Sequence, residues 1–155
     1  MVWLQSVLLF VHILGAIFWF GSGLFLQLVM LPAIRGMQFD EQKSIFTALA
    51  GRYGKIIGPV GGLTVLFGFL RGLVAGVFGN LGSAYGITFL AAIAGAVFVI
   101  VVGARFIGPT AEKLAHATSR EDVLQLADKI QGYGRYDIGG MLVMIGLMVA
   151  MRAGY

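Results

Sequence analysis

The sequence predicts an all-α integral membrane protein in which four transmembrane helices form an antiparallel bundle. Of its 155 residues, 59% are hydrophobic and 12% are charged, which is typical of multi-pass membrane proteins and not of soluble domains. Apolar runs cover residues 2–31, 56–78, 85–104 and 136–152. About 20 apolar helical residues cross a hydrocarbon core of about 30 Å, so each run is interpreted as one span of a single domain, residues 1–155.

The first run, residues 2–31, carries no formal charge and contains one histidine, His12. On a helical wheel the face around His12 collects amide, indole and small side chains: Gln5, Gly15, Ala16, Trp19, Gly23 and Gln27. Ionisable groups within a membrane usually face a protein interior. This face therefore either packs on a neighbouring helix, with His12 hydrogen-bonded to a carbonyl group there, or presents His12 to a ligand. The run is too long for a signal peptide and lacks its basic region, so we expect it to be retained.

Two amphipathic linkers, residues 35–55 and 110–135, are predicted between the spans and hold most of the charge. Asp40 is predicted to cap a helix in the first linker, and Ser119 with Asp122 forms a capping-box pattern in the second. All seven acidic residues fall within residues 34–55 and 104–137, and only Arg71 and Arg152 of the eleven basic residues lie elsewhere. The positive-inside rule then makes both linkers cytoplasmic and places both termini on the outer side of a bacterial-type inner membrane. This distribution argues against nucleic-acid binding.

The second run, residues 56–78, has Pro59 in its first turn, where a missing N–H costs least. A GxxxGxxxG stripe follows and predicts close packing with another helix; its members are Gly68, Gly72 and Gly76. Arg71 lies about 10 Å from the outer end by helical rise. We expect it to extend toward lipid headgroups or, alternatively, to pair with an anionic group such as a propionate or a phosphate.

The second half of the chain repeats the order of the first. Each half has a long apolar helix, a proline near its end, an amphipathic segment and an Arg-Tyr pair, which predicts a parallel two-fold internal repeat. The last run carries methionines on one face, namely Met141, Met144, Met148 and Met151. These thioethers either fill core space or bind Cu(I) or a haem iron.

Two segments of the first half match a family pattern. In the first run the matching residues are His12, Ile13, Trp19, Phe20, Gly21 and Leu24. In the segment RYGKIIGPVGGLTVLFGFLRG they are Arg52, Tyr53, Lys55, Pro59 and Gly68. These residues resemble the first two helices of the copper resistance protein D superfamily and of HemJ-type protoporphyrinogen IX oxidases. The second half is similar in topology alone, because its third helix lacks the family's lysine and its fourth begins with RYDIGG.

The resemblance implies a membrane protein that binds a b-type haem or another tetrapyrrole, with a redox or oxidase role. His12 would be the metal ligand and Lys55 a second functional position. In this hypothesis Trp19 and Phe20 would line the macrocycle and Arg71 or Arg152 would pair with its propionates. Met141 and Met144 lie at about the depth of His12, so either could supply a second ligand. Whether the protein is an enzyme is left open.

Two other functions stay open at this point. A copper-handling protein would use His12 and the methionine face, whereas an accessory subunit of a larger membrane complex, or a homo-oligomer, would use the glycine and aromatic faces for packing. The chain has no cysteine, which excludes disulfides and thiolate metal sites. No acidic residue is expected within a span, so a channel or transporter is disfavoured.

Overall fold

The computed structural model describes residues 2–154 and contains four long antiparallel helices. They are α1 (Val2–Arg35), α2 (Phe39–Val74), α3 (Ala84–Ala115) and α4 (Arg120–Arg152). Each contains a stretch long and apolar enough to cross a membrane, and the residues described include no strand. The predicted fold class, an all-α four-helix membrane bundle, is confirmed.

The linkers are not the separate helices that the sequence predicted. The first linker is the beginning of α2, which runs without a break from Phe39 through Pro59 to Val74. The second linker contributes the end of α3 and the beginning of α4, which starts at Arg120 and not at Tyr136. Pro59 does not end α2, although its nitrogen cannot donate a main-chain hydrogen bond to the preceding turn.

The helix caps at the linkers were predicted correctly in one case. Ser119 caps α4, and its hydroxyl oxygen accepts a hydrogen bond from the main-chain N–H of Asp122 across 3.1 Å. In the first linker the cap is Gln38 and not Asp40, because Gln38 and Glu41 form a reciprocal capping box. Asp40 instead lies in the first turn, where a carboxylate favours the positive end of the helix dipole.

Each of α1 and α3 contains a π-helical bulge before its proline. The bulges are Leu26–Met30 in α1 and Gly103–Ile107 in α3, and Pro32 and Pro109 follow in the first turn of the next α-helical segment. Both helices therefore continue past their prolines to Arg35 and Ala115, beyond the predicted ends. The matching positions of bulge and proline are what a two-fold internal repeat predicts.

The second helix ends four residues before its predicted end. Gly76 adopts a left-handed conformation with φ of 76°, which glycine tolerates because it has no Cβ atom. This change of conformation ends the helix at Val74. Gly68 and Gly72 of the predicted stripe do receive neighbouring side chains, His12 and Phe89. Gly76 therefore terminates the helix and takes no part in the packing stripe.

The helices pack mainly as two hairpins, α1 with α2 and α3 with α4. One buried cluster closes the end of the bundle that carries the residue 36–38 and 116–119 connections, hereafter the linker end; its members are Leu31, Ile34, Phe46, Leu114, Ala117, Val123, Ala127 and Ile130. A second cluster, formed by Ala96, Val99, Met141 and Met144, lies between α3 and α4. The outward faces expose large apolar side chains such as Phe10, Ile17 and Leu28, a surface suited to lipid.

Candidate functional site: a cavity inside the bundle

A cavity of about 410 Å³ lies between the two clusters, and all four helices contribute to its wall. Its volume falls within the range of about 300–1,000 Å³ that small-molecule sites occupy. The wall is largely apolar, with polar side chains at a few points: Trp19, Gln27, Tyr53, Glu112 and Asp137. An apolar cavity with a few polar groups has the composition of a ligand site.

The cavity borders both π-helical bulges. Leu26, Gln27 and Met30 line it from α1, and Gly103, Ala104 and Ile107 line it from α3. A π bulge widens a helical turn and is frequent at functional sites. The presence of two such bulges in its wall therefore favours this cavity as the functional site.

Three glycines of the cavity wall face open space. A Cβ atom added at Gly54, Gly58 or Gly103 would meet no atom within 4 Å, apart from its own chain neighbours and helix backbone. Two other wall glycines are needed for contact, because a Cβ at Gly61 would lie 2.9 Å from Cε2 of Trp19 and one at Gly134 would overlap the amide of Gln27. The missing side chains therefore allow close packing at Gly61 and Gly134, whereas the exposed Gly54 and Gly58 leave the cavity open on the side of α2.

Gln27 fixes one side of the cavity by crossing the bundle. Its side chain is only 6% exposed, and Nε2 donates a hydrogen bond to the carbonyl oxygen of Ile130 in α4 across 3.1 Å. The hydrogen bond satisfies a buried amide that would otherwise be costly in an apolar interior.

Asp137 brings a carboxylate to the cavity. It is half-buried on α4, and its Oδ2 lies 4.0 Å from the position that a Cβ on Gly23 would occupy. Gly23 lies one helical turn from Trp19 on α1, so an indole and a carboxylate border neighbouring parts of the same space. The expectation that no acidic residue lies within a span is wrong, because Asp137 belongs to the candidate span Arg120–Arg152.

His12 lies outside this cavity, in the contact between α1 and α2. Its Nδ1 donates a hydrogen bond to the main-chain carbonyl oxygen of Thr64 across 2.7 Å, and its ring covers Gly68. The neighbouring contact joins Gly15 to Thr64, where a Cβ on the glycine would overlap the threonine hydroxyl. The predicted packing interpretation of this face is therefore realised, including the hydrogen bond to a carbonyl group.

The other predicted site residues are spread over the bundle. Trp19 lines the cavity, whereas Met144 is 7% exposed and packs against Gly95 of α3, with 3.6 Å between Sδ and the position of a Cβ there. Lys55 is exposed on α2, and Arg71 is half-buried near the opposite end, with a buried Nε that has no hydrogen-bond partner among the residues described. The structure thus brings Trp19 to the cavity and does not gather His12, Lys55, Arg71 and Met144 around one centre.

The donor set at His12 is suited to haem iron at one position. Ligating histidines usually donate their other ring N–H to a carbonyl or carboxylate, as Nδ1 of His12 does to Thr64, which leaves Nε2 as the ligating nitrogen. A bound haem would supply electron-transfer or oxidase chemistry, and the chain would supply this ligand. Within residues 2–154 no three His, Asp or Glu side chains lie close enough to share a metal ion.

Asp137 and Glu112 are the site residues that sequence reasoning missed. Asp137 lies on the same face of α4 as four buried residues, Ile130, Gly134, Met141 and Met144. That periodicity places Asp137 on the inward face once α4 is extended back through the Arg-Tyr pair. Glu112 carries no comparable signal, because it follows a proline in a polar stretch.

No family model, curated protein or solved structure matches this chain. The fold and the cavity therefore stand on the structure alone, and the resemblance to the copper resistance protein D superfamily stays a prediction. The copper and accessory-subunit alternatives stay predictions in the same way.

Proposed function

We propose that this multi-pass membrane protein binds a small, mainly apolar molecule in the cavity between its four helices. The observation that carries the proposal is the space of about 410 Å³ to which all four helices contribute, with a largely apolar wall that also offers Trp19 and Asp137. A partly open cleft of about 410 Å³ with an apolar wall and a few polar groups has the volume and composition of a small-molecule site.

The charge distribution of the chain indicates on which side of the membrane the cavity lies. The linker end carries most of the basic residues, so we place it on the cytoplasmic side of a bacterial-type inner membrane, with both termini outside. The cavity then lies in the cytoplasmic half of the bundle. A ligand would reach it from that side of the bilayer or from the lipid.

Bromobenzene is a suitable probe of the cavity, because its bromine quenches indole fluorescence and its ring is uncharged. An apolar cavity of about 150 Å³ is enough to hold a benzene ring. The chain has two tryptophans, of which Trp3 is 77% exposed near the N-terminus and Trp19 lines the cavity. Trp3→Phe therefore leaves Trp19 as the only reporter, and we expect saturable quenching in detergent.

Gly58→Leu fills the cavity and should abolish saturable quenching in the Trp3→Phe background. Gly62→Leu is the matched control on the same helix: both glycines are exposed and have no atom within 4 Å of an added Cβ, but Gly62 does not line the cavity. The three proteins compared are Trp3→Phe and its Gly58→Leu and Gly62→Leu derivatives. Equal, non-saturating quenching in all of them would mean that bromobenzene reaches Trp19 only through the micelle. That result would overturn the proposal.

A second candidate function, haem or tetrapyrrole binding with a redox or oxidase role, is supported by His12. The hydrogen bond between its Nδ1 and Thr64 holds the ring in the tautomer that leaves Nε2 free to ligate iron. Such a group would lie outside the cavity, because His12 does not line it. Its test is the visible spectrum of protein expressed with ample haem and purified in mild detergent.

The haem candidate predicts a Soret band and a reduced-minus-oxidised α-band that disappear in His12→Ala. Met144→Leu is the control: it removes a thioether that the structure does not bring to His12, keeps the volume of the α3–α4 core, and should leave both bands unchanged. A colourless wild-type protein would rule out this candidate and leave the cavity proposal unaffected.

A further inference from the structure

From the charge distribution of the cavity, we infer that its ligand carries a positive charge on an apolar body, as in a lipophilic amine or quaternary ammonium compound. The inference rests on the proposed function and names the class of ligand. The protein as a whole has a net charge of +4, yet the described residues that line the cavity include the half-buried Asp137 and, at its exposed edge, Glu112, and no lysine, arginine or histidine. The cavity is therefore acidic within a basic protein.

In the part of the chain that the structure describes, no residue pairs with Asp137 to neutralise its charge. Among residues 2–154 the ion pair found is Arg35 with Asp128, and no hydrogen bond to the Asp137 carboxylate occurs there. A carboxylate taken partly out of water requires an opposite charge or hydrogen bonds to offset its desolvation. A cationic ligand in the cavity would provide the opposite charge at this position.

Trp19 adds a second feature that favours a cation. The face of an indole attracts ammonium groups, and aromatic rings are the established means of recognising quaternary ammonium in proteins. Trp19 is held in place by its contact with Gly61, and Asp137 borders Gly23 one turn further along α1. The two side chains thus face the same space from α1 and α4.

The effect of the ligand's positive charge on binding can be measured by comparing two ligands of the same shape. Phenyltrimethylammonium and tert-butylbenzene differ by the exchange of N⁺ for a carbon atom. Each is titrated as a competitor of bromobenzene quenching in the Trp3→Phe protein. We expect phenyltrimethylammonium to compete at concentrations about tenfold or more below those of tert-butylbenzene, corrected for the partitioning of each into the micelle.

Asp137→Asn tests the residue while preserving its shape, and we expect it to remove at least about tenfold of the preference for the cation. Glu121→Gln is the control on the same helix, because Glu121 is exposed and does not line the cavity, and it should leave the preference unchanged. Equal competition by the two ligands, or an unchanged preference in Asp137→Asn, would overturn the inference. If bromobenzene quenching of the Trp3→Phe protein were still saturable, the cavity proposal would survive that result. If this quenching were not saturable, both the cavity proposal and the inference of a cationic ligand would be overturned.

Discussion

Gln27 in α1 donates a hydrogen bond from Nε2 to the carbonyl oxygen of Ile130 in α4 across 3.1 Å, joining the first and last helices beside the cavity. Gly134 lies one turn further along α4 and has no side chain where the amide passes. The polar link and the glycine are thus one feature, since the hydrogen bond requires the space that the glycine leaves.

We predict that Gly134→Ala destabilises the protein by about 1–3 kcal/mol, because the new methyl group would overlap the Gln27 amide and force it out of place. The measurement is thermal unfolding in detergent. Gly132→Ala is the control on the same helix, as its methyl group would meet nothing within 4 Å and alanine favours a helix over glycine. Equal melting temperatures for the two variants would contradict the packing of Gln27 against Gly134.

The close contact between His12 and Gly68 leads to a similar prediction for the hairpin of α1 and α2. A Cβ on Gly68 would lie 2.7 Å from Cε1 of His12, so Gly68→Ala should shift the imidazole and weaken its hydrogen bond to Thr64. We expect a loss of about 1–3 kcal/mol in the free energy of unfolding. Gly62→Ala, on an exposed face of the same helix, should not destabilise the protein. A Gly68→Ala protein as stable as Gly62→Ala would show that α1 and α2 do not approach at this point.

The ion pair between Arg35 and Asp128 should contribute little. Asp128 is 66% exposed at its side chain, and Arg35 also donates a hydrogen bond to Gln131 across 2.9 Å. We expect Asp128→Asn to change the free energy of unfolding by less than about 1 kcal/mol, with the difference reduced further by salt. A larger effect, measured by unfolding at low and high salt, would mean that this pair closes the linker end.

Filling the cavity from α3 should separate stability from binding. Gly103→Leu places an apolar side chain in open space, so we expect it to raise the melting temperature while lowering the affinity for bromobenzene. Gly146→Leu on α4 gains similar helix propensity on an exposed face and should leave affinity unchanged. If Gly103→Leu bound bromobenzene as the parent does, the site would lie elsewhere.

The sequence was sufficient to predict the four helices and the inward face of α1. Hydropathy and helical periodicity depend on local sequence, and both Gln5 and His12 do contact main-chain carbonyl groups of α2, those of Val74 and Thr64. The continuity of α2 and α4 was missed because glycines such as Gly54 and Gly134 lower helix propensity where the polar and apolar patterns meet. Tertiary packing overrides that local preference.

The cavity could not be predicted, because it depends on how four helices diverge around two π bulges. Sequence periodicity indicates which face of a helix is inward but not the distance between helices. Asp137 lies at the beginning of the predicted fourth run, residues 136–152, and its place in the cavity wall depends on how α4 packs against the other helices.

The most direct test of the account is a crystal structure of the protein soaked with bromobenzene, with the bromine located by anomalous scattering. We predict a bromine peak inside the cavity, between Trp19 of α1 and Gly58 of α2, and no such peak in Gly58→Leu. A peak confined to the lipid-facing surface, or no peak in the wild-type protein at saturating bromobenzene, would contradict the proposal that this bundle holds a small molecule.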